Sequence, residues 1–307
     1  MTKKAKTVYN KYTGLISIMK GTYGMKKTLL LLLAVCLLIA PFSVRADGKI
    51  YLALGDSITT GYGLSNDEKS FAKLLAEEND YILNNQAVNG ATTADVLTRL
   101  NRQSILTTVK RAELITLTCG GNDLMGLLFT QVAESYNAMA PAPVNPGDVI
   151  SILSDPNDAR QAMLLAATQS VLLGSENEPG LIDSPVMDAA IDAYITTLNA
   201  VIAKLRAVNP TVPIIVATQY NPFGAFTDAY ALFGQSMGKG VKKLSDAIVQ
   251  NAATAGYLVA DAYSAFAASD ENLCCAMMIP FNPDPHPNAL GHKVLFDCFQ
   301  QVIDAKP

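Results

Sequence analysis

Five short apolar runs, at residues 50–54, 81–88, 113–118, 212–218 and 257–260, constrain this chain more than any other feature. A run of this kind suits a strand buried on both faces. Segments with helical spacing separate the runs. Residues 67–79 place Phe71, Leu74 and Leu75 on one face. Residues 92–101 open with Thr92-Thr93-Ala94-Asp95, a helix-start signal, and continue with Val96, Leu97 and Leu100. Residues 184–208 are long and amphipathic and stop at Asn209-Pro210. Another helix is expected over 238–255, ending at Gly256, and a last one from about Pro287 to Ala305. Strands alternating with helices predict a parallel sheet covered on both faces.

Five such strands predict an α/β protein, a flavodoxin-like α/β/α sandwich with a five-stranded parallel sheet. Residues 124–186 break the alternation. They are rich in Leu, Met and Ala, with a Pro- and Gly-rich interruption at 141–147. Two or three helices inserted after the third strand would account for them, as extra scaffold or as a wall or lid beside a site.

The net charge of -4 hides an asymmetry. Residues 1–46 hold eight Lys and Arg and no acidic residue; the other 15 basic residues face all 27 acidic ones, leaving about -12. A body this acidic argues against nucleic acid and against charge-driven docking on anionic lipid. Met25-Lys26-Lys27 precedes an unbroken apolar run from Leu29 to Ala40, followed by the small-residue pattern Val44-x-Ala46. Residues 25–46 therefore read as a signal peptide cleaved after Ala46. Residues 1–24 read as an upstream extension and 47–307 as one domain. The expected location is extracytoplasmic, with no integral membrane span after cleavage. Cleavage would leave four cysteines. Cys119, at the end of an apolar run, reads as a buried thiol. Cys298 with Cys274 or Cys275 is the expected bridge, closing a loop of about 25 residues worth roughly 3 kcal/mol. No Cys/His spacing suggests zinc.

Chemistry-bearing residues collect at strand ends, where open parallel sheets bind ligands. Gly55-Asp56-Ser57 follows the first run and hands over to a helix start. Backbone N–H groups there lack intrahelical partners, so a serine can attack a carbonyl while they hold the oxyanion. The same three residues also fit a plain turn with a serine cap. Asn89-Gly90-Ala91 follows the second strand, Gly120-Gly121-Asn122-Asp123 the third, and Asp284-Pro285-His286-Pro287-Asn288 precedes the last helix. His286 and His292 are the only histidines. Six residues apart on a helix they would point about 240° from each other, so they make a poor metal pair. A nucleophilic Ser57 needs one of them as base.

These four pieces, in this order, resemble the blocks of the SGNH hydrolases, also called the GDSL lipase/esterase family. The resemblance covers about residues 50–303. It implies a metal-independent ester hydrolase without a cofactor, of lipase, esterase or lysophospholipase type, acting on a small-molecule ester. Ser57 would be the nucleophile and His286 the base. The N–H groups of Ser57 and Gly90 and the side-chain amide of Asn122 would form the oxyanion hole. One block departs from the pattern. The family aspartate usually lies three residues before the histidine, where this chain has Pro283. Asp284, two before, can face the same side as His286 in an extended chain; otherwise a backbone carbonyl near Pro283 holds the imidazole. Tyr220 and Asn221, after the fourth strand, are candidate pocket residues. Asp56, Asp123 and Asp261 read as loop acceptors, and His292 as packing or bonding within the last helix. The apolar insertion favours lipid-like or short-chain acyl esters. A carbohydrate O-deacetylase would want an aromatic cleft, and the chain has no Trp. A catalytically silent binding module is the alternative outside enzymes. The leader reading is checked by N-terminal sequencing of exported protein, which is expected to begin at Asp47 and not to retain residues 29–40.

Overall fold

The computed structural model describes residues 48–226, 231–277 and 282–305. The expected extension (1–24) and leader (25–46) lie outside the described residues. Lys49–Pro307 forms one compact unit.

In chain order, strand β1 (Ile50–Gly55) runs into a one-turn helix α1 (Ser57–Thr60), and helix α2 (Phe71–Glu78) leads to β2 (Ile82–Asn85). Helices α3 (Thr93–Arg99) and α4 (Gln103–Arg111) precede β3 (Ala112–Thr118). The insertion then supplies α5 (Gly121–Asn137), α6 (Val149–Ser154) and α7 (Gln161–Leu173). Helix α8 (Pro185–Val208), β4 (Ile214–Ala217), α9 (Ala231–Ala255), β5 (Leu258–Ala260), α10 (Ala262–Ala267) and α11 (Ala289–Asp304) complete the described chain. The five strands form one parallel sheet in the order β2-β1-β3-β4-β5. Helices α3, α4, α8 and α9 pack together in one layer, and α2, α10 and α11 in another. Helix α8 is long and apolar enough to cross a membrane. Here it is a layer helix, with Ile191, Tyr194, Leu198, Val201 and Leu205 buried.

The expected architecture is thus present, and its departures have local causes. β2 is shorter than expected because it is an edge strand, with Ile82 and Asn85 exposed. The chain beyond it still donates to β1, from Gln86 N–H to Ala53 and from Val88 N–H to Gly55 (2.8 and 3.0 Å). Helix α4 carries no side-chain cap, so no start signal marked it. Helix α9 begins seven residues before the expected 238. Gly234 and Gly238 are contact points there: an added Cβ would fall 2.4 Å from the Phe223 carbonyl and 2.8 Å from Asn221 Nδ2. The expected bridge to Cys298 is absent, and Cys119, Cys274, Cys275 and Cys298 are all free thiols. The Cys298 thiol instead meets the Asp261 carbonyl at 3.6 Å. Burial pushes it up to about 11, which keeps its reactive thiolate scarce.

His292 is fully buried in α11, but its bond leaves the helix. Nδ1 accepts the Phe71 N–H at 3.3 Å, satisfying an orphan donor at the start of α2. Burial, and secondarily the nearby His286, lowers its pKa to about 4. An unfolded imidazole protonates near 6.5, so between the two values the unfolded state binds the extra proton. Stability from this group is therefore lost as pH falls from 6.5 towards 4, by roughly 3 kcal/mol at most. Asp56, raised to about 6 by burial, acts in the opposite sense and loses stability as pH rises through that window. Urea melts of wild type and His292→Asn separate the two. Asn keeps an acceptor for Phe71 but does not titrate, so wild type is expected to lose more stability than the variant between pH 7 and pH 4.5.

Candidate active site

The strand order reverses between β1 and β3, so a crevice opens at their carboxyl ends. Gly55 ends β1 at φ 129°, and a Cβ there would lie 2.1 Å from the Thr118 carbonyl oxygen. Only glycine permits this approach. Asp56, buried, caps α1 by accepting the Ile58 N–H at 3.1 Å and the Thr118 hydroxyl at 2.8 Å. The Thr59 hydroxyl stands 2.8 Å from that of Thr118 and donates to the Leu54 carbonyl. These bonds fix the turn on which Ser57 sits.

Ser57 Oγ lies 2.9 Å from His286 Nε2. Asp284 Oδ1 stands 2.5 Å from His286 Nδ1 and also accepts the His286 backbone N–H at 3.0 Å. Of the two partners left open for the imidazole, the structure has Asp284. The contact is an Asx-type closure over two residues. Around it, the Cys275 N–H donates to the His286 carbonyl (2.8 Å), and the Tyr220 hydroxyl donates to the Pro285 carbonyl (3.0 Å). Tyr62 was not singled out in the sequence. Its ring lies 4.7 Å from the His286 ring, and the Gly61-Tyr62-Gly63 turn gave no sign of that contact.

Asn122 lies in the first turn of α5, and its amide donates one hydrogen to the Ala91 carbonyl at 3.0 Å. The second hydrogen of that amide remains for the cavity that the residue lines. Asp123 accepts the Thr93 N–H and hydroxyl (3.1 and 3.0 Å), which ties the starts of α3 and α5 together. Burial raises its carboxyl. Asp261 is likewise a loop acceptor, bonded by Ser264 N–H and the Thr218 hydroxyl. Gly90 is exposed in a turn closed by Ala91 N–H to Val88 (3.1 Å), at φ 76°. A Cβ there would meet nothing within 4 Å. Its glycine therefore suits the positive-φ turn conformation. The Ser57 N–H opens a helix and has no intrahelical partner.

Ser57, Asn122, Tyr220, Asp284 and His286 line one cavity of about 420 Å³. Its apolar wall includes Met125, Leu128, Phe129 and Ile150 from the insertion and Met237 and Val241 from α9. Asn221, expected beside Tyr220, is not on that wall. Its amide donates to the Gly234 carbonyl, and its oxygen accepts the Phe223 N–H (3.0 and 3.1 Å), bracing the turn before α9.

The pattern of the GDSL-like lipase/acylhydrolase family matches residues 53–294. The chain belongs to that family. Its sheet of five parallel strands between helical layers is the frame on which the family match lies. A spore germination lipase, LipC, of Bacillus licheniformis is 37% identical over 81 residues, 24% of this chain and 38% of that protein. The esterase TesA of Pseudomonas aeruginosa is 33% identical over 115 residues, 36% of this chain and 56% of that protein. The chain thus matches about two fifths and a little over half of these relatives' lengths. An extracellular lipase from Streptomyces rimosus shares the fold with a TM-score of 0.53 at 22% identity, over 82% of this chain and 99% of that one.

The double acceptance at Asp284 Oδ1 has a measurable consequence. In Asp284→Asn the His286 backbone N–H would keep the amide oxygen in place, so the imidazole keeps its orientation and loses only the charge. Asp284→Ala removes both. An Asp→Asn change in another serine hydrolase costs about 10⁴ in kcat because the amide favours the wrong tautomer. Here the His286 backbone N–H holds the oxygen towards Nδ1, so ester hydrolysis by the Asn variant is expected to fall at least tenfold less than by the Ala variant. Equal losses in the two would show that the shared contact does not orient the ring.

Proposed function

We propose that this chain is an exported serine esterase that hydrolyses lipid-like or short-chain acyl esters through a covalent acyl-enzyme. The observation that carries the reading is the Ser57–His286–Asp284 chain of contacts, 2.9 and 2.5 Å, opening into an apolar cavity. Ser57 Oγ attacks the ester carbonyl carbon while His286 Nε2 takes its proton. Asp284 holds the Nδ1–H and stabilises the imidazolium. The carbonyl oxygen, now an oxyanion, accepts from the N–H groups of Ser57 and Gly90 and from Asn122. His286 returns its proton to the departing alcohol. Water, deprotonated by the same ring, then attacks the acyl-enzyme, and the acid leaves as Ser57 regains its proton.

The wall favours acyl chains over sugars: Met125, Leu128, Phe129, Met237 and Val241 supply apolar surface, and the chain has no Trp for stacking a pyranose. Names of relatives point the same way, one a lipase and one an esterase. Export rests on the basic start and apolar run of residues 25–46. The test is a panel of nitrophenyl acyl esters and acetylated sugars on the 47–307 chain. Acyl esters are expected to be the better substrates. Ser57→Ala should lower kcat by up to about 10⁶ and abolish labelling by a phosphonate probe. Labelling that survives in Ser57→Ala, or faster turnover of acetylated sugars, would overturn the reading.

A further inference from the structure

The cavity that holds Ser57 has a neighbour. A second cavity of about 260 Å³ adjoins it, and Met125, Leu128, Phe129, Ile150 and Pro283 line both. Helix α5 serves both cavities along one stripe. Asn122 lines only the first, Met125, Leu128 and Phe129 line both, and Val132 lines only the second. These positions follow helical spacing on one face. From Asn122 to Val132 the helix rises about 15 Å at 1.5 Å per residue. An extended acyl chain of roughly a dozen carbons has that reach.

The second cavity is built for methylene groups. Among the described residues, no charged side chain lines it. Its polar lining among the described residues is Thr168, whose hydroxyl is already spent on the Leu164 carbonyl at 2.8 Å, and Gln169, which is exposed. Burying methylene groups against a wall this apolar is favourable. The shared wall includes Met125, Phe129 and Ile150, which are only half-buried. A thioether side chain among them can change rotamer at little cost.

We propose that the insertion makes the second cavity a distal acyl subsite, and that the preferred substrates carry long acyl chains that run from Ser57 along α5 past Phe129 towards Val132. This rests on the serine-esterase reading above and narrows its substrate class. Short acyl groups fill only the first cavity. Chains approaching a dozen carbons enter the second, with Leu165 and Leu172 of α7 setting the limit on length. Each methylene buried there should raise kcat/KM about threefold to fourfold, until the space is filled.

The experiment measures kcat/KM for nitrophenyl esters from acetyl to palmitoyl with wild type, Leu165→Trp and Leu172→Trp. Wild type is expected to peak at ten carbons or more. The indole in either variant should lower the ratio of dodecanoyl to butyryl kcat/KM at least tenfold. Phosphonate labelling of Ser57 reports that each variant is folded. Should neither fold, inactivation of wild type by a series of alkyl phosphonates decides, the rate rising through about twelve carbons if the subsite exists. Ser57-dependent hydrolysis that peaks at acetyl or butyryl esters, or a ratio unmoved in a variant that still labels, would overturn the subsite and leave the esterase reading standing. No Ser57-dependent hydrolysis of any ester would overturn both.

Discussion

The contact between Gly55 and Thr118 governs this structure. Two adjacent parallel strands end together, and the first ends closer to its neighbour than any side chain would allow. Thr118 then uses its hydroxyl on Asp56, and Asp56 uses its other contact on the first turn of α1. The position of Ser57 is therefore set by the neighbouring strand as much as by its own. The same strand runs on into Gly120 and Asn122, so one pair of strands positions both the Ser57 hydroxyl and the Asn122 amide on one cavity. A buried polar knot of this kind is rigid because each member is satisfied. It carries a cost at Asp56, whose burial disfavours the ionised form.

The histidine arrives from far along the chain and is held differently. Its loop is pinned by backbone bonds from residues 275 and 277 to residues 286 and 282, and by Tyr220 from the end of β4. The Asp284 carboxylate closes onto the residue two places later, which compensates for proline at the usual aspartate position. Tyr62 covers the imidazole from the side of α1. The site thus joins four separate stretches of sequence, and side-chain hydrogen bonds to backbone supply much of the joining. Within residues 124–186 the insertion adds only Ser154 as a polar group to this cavity lining. It contributes apolar surface to the cavity wall.

Much of the fold was legible because it follows from local rules. Buried parallel strands read as apolar runs, and capping signals such as Thr92 to Asp95 mark helix starts, here with both bonds of a capping box formed. The errors arose where a residue's role depends on a distant partner. The helix expected from residue 238 begins at Ala231, and its Gly234 and Gly238 make close contacts with Phe223 and Asn221 that no local pattern shows. Asn221 looks like a pocket residue from its place at a strand end, yet Gly234 and Phe223 draw its amide inward. Cys298 had a plausible partner at a sensible loop length, but spacing carries no information on where a thiol points.

The amino-acid sequence by itself determined the layer architecture, the strand count and the place of the insertion, and it singled out Ser57, Asn122 and His286 as candidates, because periodicity and short motifs are local. Tertiary structure decided how those residues meet. Asp284 was one of two partners left open for His286, and a contact of 2.5 Å distinguishes it from a backbone carbonyl. Gly90 turned out to serve a positive-φ turn in open space, which no motif reveals. His292 proved to cap a helix more than 200 residues away in sequence. The two adjoining cavities belong to this second class. Their walls combine α5, α6, α7, α9 and the histidine loop, and the volume left between such elements follows from how they pack, which no stretch of the chain encodes alone.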